Sequence, residues 1–90
     1  MQTNLKQHSI VYSQLYCPAC VKAKAALAHL GYAVEERIIG QGGTYTKEQL
    51  MAAVPNARSV PQIFVNDLYI GGLKELREYL IEHHDYNKED

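Results

Sequence analysis

The first half of the chain combines short apolar runs with one amphipathic stretch. Residues 10–12 are β-branched or aromatic and predict a strand, which a helical pattern follows from about Pro18 to Leu30. Gly31 ends that pattern, because glycine readily adopts the left-handed conformation of a helix stop. Alternation over residues 34–39 predicts a second strand, and its parallel pairing with the first would make a right-handed βαβ unit.

The second half of the chain predicts a short helix, a hairpin and a last helix. Thr46 and Gln49 have the spacing of a capping box, and the helix that they begin must end before Pro55. Residues 62–70 give two short strands around a tight polar turn, and apolar positions at helical spacing predict a helix over residues 73–83. The order βαβαββα predicts an α/β fold with a mixed sheet of about four strands flanked by three helices.

The composition indicates a single domain of 90 residues, with its core at about residues 9–83 and a flexible tail at residues 85–90. A net charge of −1 gives no field that would favour nucleic acid or an anionic membrane. No apolar run approaches the roughly 20 residues of a membrane span, and the first residues lack the apolar core of an export signal. We therefore expect a monomeric cytoplasmic protein without a nucleic-acid or membrane partner.

The two cysteines, Cys17 and Cys20, lie where the first strand meets the first helix. Pro18 fits the first helical position because its missing N–H would have no partner there, which makes Cys17 the N-cap. The positive helix end and the free amides of the first turn favour thiolate over thiol, and Lys22 and Lys24 add a screened contribution. Cys17 is therefore the predicted nucleophile. Cys20, one turn later on the same face, is the predicted resolving residue.

The cysteine pair also fits a structural disulfide, two buried thiols or half of a metal site. A structural bridge is uncommon in a reducing compartment, and so short a loop would add little stability. A zinc site needs two more ligands, and the four histidines are scattered without ligand spacing. Redox chemistry is the favoured interpretation of C-x-x-C within a βαβ pattern, and we expect no metal.

Three segments together resemble the glutaredoxin family, a branch of the thioredoxin fold. They are residues 16–20 (YCPAC), residues 59–65 (SVPQIFV) and residues 70–72 (IGG) followed by Leu76, and the match covers roughly residues 9 to 82. The resemblance implies a thioredoxin-like fold and a thiol–disulfide oxidoreductase with glutathione as co-substrate. Its substrates would be protein disulfides or glutathione mixed disulfides, with ribonucleotide reductase as one candidate client.

The resemblance also implies a set of glutathione-binding residues. Pro61 would be cis and lie against the sulfurs, with the Val60 backbone offered to the cysteine of glutathione. Arg58 matches a cation for the glycine carboxylate, and an exposed loop arginine is the alternative. The start of the last helix would hold the γ-glutamyl end on free amides, with a plain turn as the alternative. The complete set is Tyr16, Arg58, Val60, Pro61, Gly72, Leu73 and Glu75.

Three positions depart from the family pattern. Gln14 replaces the common lysine before the nucleophile, and Ala19 replaces the usual tyrosine of the motif. Lys74 stands where many relatives have Asp, and its charge would repel the ammonium of the γ-glutamyl group. The adjacent Glu75 is expected to substitute for that Asp. The first and third departures weaken the expected affinity for glutathione, whereas the second opens space beside the sulfurs.

Several alternatives therefore stay open. The chain could be a glutaredoxin-like electron donor recharged by thioredoxin reductase, or a redox-silent binding module. It could also carry an iron–sulfur cluster between Cys17 of two copies and two glutathiones, although Pro18 disfavours this. Tyr16 is expected to pack beside the nucleophile or to be a structural aromatic, and His83 and His84 to form an exposed helix end.

Overall fold

A computed structural model of the chain describes residues 7–84. Its elements are β1 (His8–Ser13), α1 (Pro18–His29), β2 (Ala33–Ile38), α2 (Lys47–Ala53), β3 (Gln62–Val65), β4 (Leu68–Gly71) and α3 (Leu73–His84). This order confirms the predicted βαβαββα sequence of elements. The tail predicted at residues 85–90 lies outside the described residues, and no helix within residues 7–84 is long and apolar enough to span a membrane.

The four strands form one mixed sheet in the order β2-β1-β3-β4. β1 pairs parallel with β2 along its whole length and ends with Ser13 opposite Ile38, which confirms the βαβ unit. β3 runs antiparallel to β1, so Gln62 at its start lies opposite Tyr12 near the end of β1. The loop after β1 and the loop before β3 therefore meet at one end of the sheet.

The ends of the helices and of the hairpin follow the predicted local signals. α1 has Pro18 in its first turn, and Gly31 follows its C-cap with a φ of 90°. At α2 the Thr46 hydroxyl accepts a hydrogen bond from the Gln49 amide, and the Gln49 side chain accepts one from the Thr46 amide. Both residues of the β3–β4 turn have positive φ, as a two-residue hairpin turn of this kind requires.

Apolar side chains cover both faces of the sheet. On one face α1 and α3 pack through buried residues that include Leu27 and Leu76. On the other face α2 contributes Leu50 to a second buried cluster. Val11 belongs to the first cluster and Tyr12 to the second, because successive side chains of a strand point to opposite faces. Helices on both faces of the mixed sheet agree with the predicted fold.

Candidate active site

Cys17 forms the N-cap of α1, directly after the loop that leaves β1. Its backbone is extended, with φ −115° and ψ 98°. The Sγ atom accepts a hydrogen bond from the Cys20 amide at 3.1 Å. The sequence predicted contributions from several free amides of the first turn, but among the described residues only the Cys20 amide reaches the sulfur. The sulfur of Cys17 thus lies at the positive end of a 12-residue helix.

Cys20 is joined to Cys17 by a disulfide bond. The two Cα atoms are 5.2 Å apart, within the usual range for bridged cysteines. Cys20 is 1% exposed, whereas Cys17 is only half-buried. One accessible sulfur and one shielded sulfur suit the predicted roles of nucleophile and resolving residue. Within residues 7–84, no group of three or more His, Cys, Asp or Glu residues is arranged to hold a metal ion.

Two other segments with predicted site residues lie at the same end of the sheet. The Val60–Pro61 peptide bond is cis, as the family resemblance implies. Pro61 is buried and precedes β3, which pairs with β1 beside the loop that carries Cys17. A Cβ atom on Gly72 would lie 3.5 Å from the Pro61 carbonyl oxygen, so the start of α3 adjoins the same loop.

A groove of about 700 Å³ extends from Gln14 to the loop before Pro61. Arg58 and Val60 both line it, so the fold brings two of the predicted glutathione-binding residues together. Arg58 is exposed, as its alternative interpretation required, but it also contributes a positive charge to the groove. Lys47 contributes a second positive charge that the sequence reasoning missed. No pattern in its own segment marks it as a site residue, because only the fold places α2 beside this groove.

The remaining predicted site residues, Gly72, Leu73 and Glu75, lie at the start of α3. Gly72 precedes the helix and has no side chain to cap it, and its own amide donates to Oε1 of Glu75 at 2.9 Å. The first amides of an α-helix have no partner within the helix, which applies here to Leu73 and Lys74. The side chain of Leu73 packs against the core rather than beside the cysteines. The Glu75 carboxylate therefore lies at the point where the γ-glutamyl end was predicted to bind.

Two predictions about aromatic and histidine side chains are wrong. Tyr16 neither packs beside Cys17 nor serves as a structural aromatic, because its side chain is 98% exposed. Its backbone is left-handed, with φ 59°, which is uncommon for a residue other than glycine. His83 is exposed as predicted, but His84 is half-buried. The Nε2 atom of His84 lies 2.6 Å from the hydroxyl of Tyr32, since the end of α3 reaches the segment before β2.

Another cavity, of about 630 Å³, is lined by both cysteines and by Lys24 and Glu36; we call it the cysteine cavity. The Oε2 atom of Glu36 accepts hydrogen bonds from Lys24 Nζ at 2.6 Å and from Ser13 Oγ at 2.7 Å. Both hydrogen bonds lower the pKa of the Glu36 carboxyl, and the bond from Lys24 has the larger effect. Lys24, predicted to act on Cys17 by its charge, is therefore neutralised by Glu36. The sequence reasoning missed Glu36, because only the pairing of β2 with β1 brings it here.

Known proteins with similar sequences include members of the glutaredoxin family. The profile of the Glutaredoxin family matches residues 10–70. Glutaredoxin 1 of Rickettsia conorii is 36% identical over 67 residues, which are 74% of this chain and 66% of that protein. The hybrid peroxiredoxin hyPrx5 of Haemophilus influenzae is 32% identical over 78 residues, which are 87% of this chain but 31% of that protein. The matched region is thus just under two thirds of the first relative and under one third of the second.

The backbone shows the same relationship. The crystal structure of glutaredoxin 1 from Francisella tularensis, complexed with cacodylate, matches this chain with a TM-score of 0.71 at 26% sequence identity. The match covers 89% of this chain and 99% of that chain. The mixed sheet and its three helices are therefore a fold that this chain shares with a protein of known structure.

Proposed function

The chain belongs to the glutaredoxin family, a family of thiol–disulfide oxidoreductases, and we propose that it reduces disulfides with glutathione as the electron donor. The observation that carries the proposal is an accessible sulfur at a helix N-cap, bonded to a shielded one. A shift of two units in a thiol pKa needs about 2.7 kcal/mol. A helix end contributes up to ~2 kcal/mol and a hydrogen bond to an anion roughly 1.5–3 kcal/mol, so the two together suffice.

For a glutathionylated protein, the proposed reaction uses Cys17 alone. The Cys17 thiolate attacks the glutathione sulfur, and the bond between glutathione and the protein breaks. The protein leaves as a thiolate and takes up a proton, while Cys17 remains in a mixed disulfide with glutathione. A second glutathione thiolate attacks that sulfur, oxidised glutathione leaves, and the Cys17 thiolate is regenerated.

For a protein disulfide, the proposed reaction uses both cysteines. Attack by Cys17 forms an intermolecular disulfide and releases the first protein thiol. Cys20 then loses its proton and attacks the Cys17 sulfur, which releases the second protein thiol and forms the Cys17–Cys20 disulfide seen in the structure. Two glutathione molecules reduce that bond and leave as oxidised glutathione.

The groove beside the cis proline supports glutathione as the co-substrate. Arg58 and Lys47 line this groove, and we propose that they bind the glycine carboxylate of glutathione. Lys47 would supply the positive charge that is missing because Gln14 replaces the common lysine before the nucleophile. The backbone of Val60, before cis Pro61, is proposed to pair with the cysteine part of glutathione in the manner of an added strand.

The start of α3 is the proposed site of the γ-glutamyl end. Because Gly72 cannot cap the helix with a side chain, the amides of Leu73 and Lys74 are available to the α-carboxylate of glutathione. Glu75, whose carboxylate lies at the Gly72 amide, is proposed to face the ammonium. The charge of Lys74 opposes that ammonium. Tyr16 is proposed to contact bound glutathione, since it is an exposed residue in the lining of the cysteine cavity.

The proposed clients are proteins with glutathionylated cysteines or accessible disulfides. Ribonucleotide reductase is one candidate, which rests on the family resemblance alone. We propose that the protein acts as a monomer in a reducing cytoplasm, because each turnover consumes reduced glutathione. Continued turnover of the protein therefore requires a compartment in which glutathione is kept reduced.

The decisive experiment measures reduction of a mixed disulfide between glutathione and a small thiol, coupled to glutathione reductase. We expect turnover with the wild-type chain, no activity with Cys17→Ser, and retained activity with Cys20→Ser. Turnover supported by thioredoxin reductase but not by glutathione would overturn the proposed electron donor. Unchanged reduction by Cys17→Ser would indicate a redox-silent module, and a brown dimer after anaerobic purification would indicate a cluster carrier.

A further inference from the structure

Cys20 and Lys24 occupy successive turns of α1 and both line the cysteine cavity. Residues four apart on a helix are neighbours on its surface. An unpaired ammonium at this position would stabilise a thiolate on Cys20, which is itself 1% exposed and poorly solvated. The Lys24 ammonium is not unpaired, however, because it donates to Glu36 across the cavity wall at 2.6 Å.

Glu36 is held in place from two elements. Ser13, at the end of β1, is fully buried and donates its hydroxyl to Oε2 of Glu36 at 2.7 Å. Lys24, from α1, donates to the same oxygen. Both described donors thus reach the same oxygen of Glu36, from two different elements. The structure thus places the Glu36 carboxylate in the wall of a cavity that is also lined by Cys20, the buried cysteine of the redox pair.

We propose that Glu36 is a positioning residue for the resolving step: it neutralises Lys24 and so controls how readily Cys20 loses its proton. The inference rests on the proposed function, because Cys20 matters to turnover only as the resolving thiol. In the mixed disulfide of Cys17 with glutathione, Cys20 must release its proton to solvent before it attacks Cys17. Glu36 disfavours that anion and thereby favours release of Cys17 by a second glutathione.

Among the residues that line the cysteine cavity, Lys24 and Glu36 are the charge pair that can act on the acidity of Cys20. The titratable or charged residues in its lining are Tyr16, Cys17, Cys20, Lys24 and Glu36. Arg37, the next residue of β2, is directed to the opposite face, where it donates to the Tyr12 hydroxyl at 2.8 Å. The third element on this side, α3, packs against α1 through the buried apolar residues Leu76 and Leu80.

The experiment titrates Cys20 alone, in the Cys17→Ser background, by the ultraviolet absorbance of its thiolate against pH. Adding Glu36→Gln is expected to lower the midpoint by about 0.5–1 unit, and adding Lys24→Gln is expected to raise it by a similar amount. With both substitutions together, the midpoint is expected within about 0.3 units of the background. Glu35→Gln, which removes a carboxylate from the same strand but outside the cavity, is the matched control.

A midpoint that stays or rises with Glu36→Gln overturns the proposal, and so does an equal fall with Glu35→Gln. If Glu36→Gln does not fold, the Lys24→Gln arm decides alone, since an unchanged or lowered midpoint contradicts a role for the pair. No glutathione is present, so failure of glutathione-dependent turnover leaves this result intact. In the dithiol protein treated with oxidised glutathione, Glu36→Gln is expected to speed conversion of the mixed disulfide to the intramolecular disulfide about 3–10-fold, as mass spectrometry of quenched samples would show.

Discussion

The amide of Cys20 donates a 3.1 Å hydrogen bond to the sulfur of Cys17, the residue to which its own side chain is bonded. The donor is an amide of the first turn of α1, which has no partner within the helix. Reduction of the disulfide leaves this amide beside the sulfur, where it stabilises a thiolate more than a thiol. The same free amide that marks the start of α1 therefore also favours the thiolate of Cys17.

The first prediction concerns the acidity of Cys17. The pKa of the reduced Cys17 thiol is expected to lie below the ~8.5 of a free cysteine, because the helix end and the Cys20 amide favour the anion. Alkylation rates of reduced Cys20→Ser protein, measured against pH, would give the value. The same variant unfolded in urea is the control and is expected to titrate near ~8.5. Coincident folded and unfolded profiles would contradict the assigned role of Cys17.

The second prediction concerns the cations of the groove. Lys47→Gln and Arg58→Gln are each expected to raise the KM for glutathione about 3–10-fold, because each removes a charge that binds the glycine carboxylate. The kcat is expected to change little, since neither residue contacts the reacting sulfurs in the proposed complex. Steady-state rates in the coupled assay provide both constants. Lys22→Gln removes a charge outside the groove, and an equal effect of all three substitutions would rule out specific binding.

The third prediction concerns acid stability. Hydrogen bonds from Lys24 and Ser13 hold the pKa of Glu36 below its ordinary value of 4.5. Because the unfolded chain then binds this proton more readily, the stabilisation is complete above about pH 4.5 and is lost as the pH falls through the folded-state pKa.

Glu36→Gln is therefore expected to lose less unfolding free energy than the wild type between about pH 6 and about pH 3. Urea unfolding at several pH values measures this difference. Glu82→Gln controls for removal of a carboxylate elsewhere on the surface. If the free energies of unfolding of the wild type and of Glu36→Gln fell in parallel as the pH is lowered, the carboxylate would gain no stabilisation from its two donors.

The fourth prediction concerns the start of α3. Glu75→Ala is expected to lower the free energy of unfolding by about 0.5–1 kcal/mol, because the Gly72 amide loses its acceptor. Glu75→Gln is expected to keep most of this stability, since its amide oxygen still accepts. Glu78→Ala, one turn further along the helix, provides the comparison. Equal losses with Glu75→Ala and Glu78→Ala would mean that the cap contributes nothing of its own.

Much of the fold could be predicted because its signals are local. Pro18 and the Thr46–Gln49 box mark helix starts within a few residues of chain, and Gly31 marks a helix end. The same is true of Cys17 as an N-cap, which depends only on its neighbours. Tyr16 was assigned wrongly although it is also local, because an aromatic residue gives no sign that its backbone will be left-handed.

The cis bond before Pro61 came from the family resemblance rather than from residue patterns, because most X-Pro bonds are trans. Lys47 and Glu36 were missed for another reason. Each reaches the site from an element distant in sequence from the cysteines, and their charges have no spacing pattern within their own segments. Their roles depend on how α2 and β2 pack around the loop after β1.

The amino-acid sequence by itself determined the order of elements, the two-cysteine helix start and the family, since these follow from short-range backbone preferences and contiguous motifs. Only the tertiary structure decided which charges line the cysteine cavity and the neighbouring groove. Strand pairing brings Glu36 across to Lys24, and the packing of α2 brings Lys47 to Arg58. Electrostatic interactions act through space over a few ångströms, whereas the residues that make them lie many positions apart along the chain.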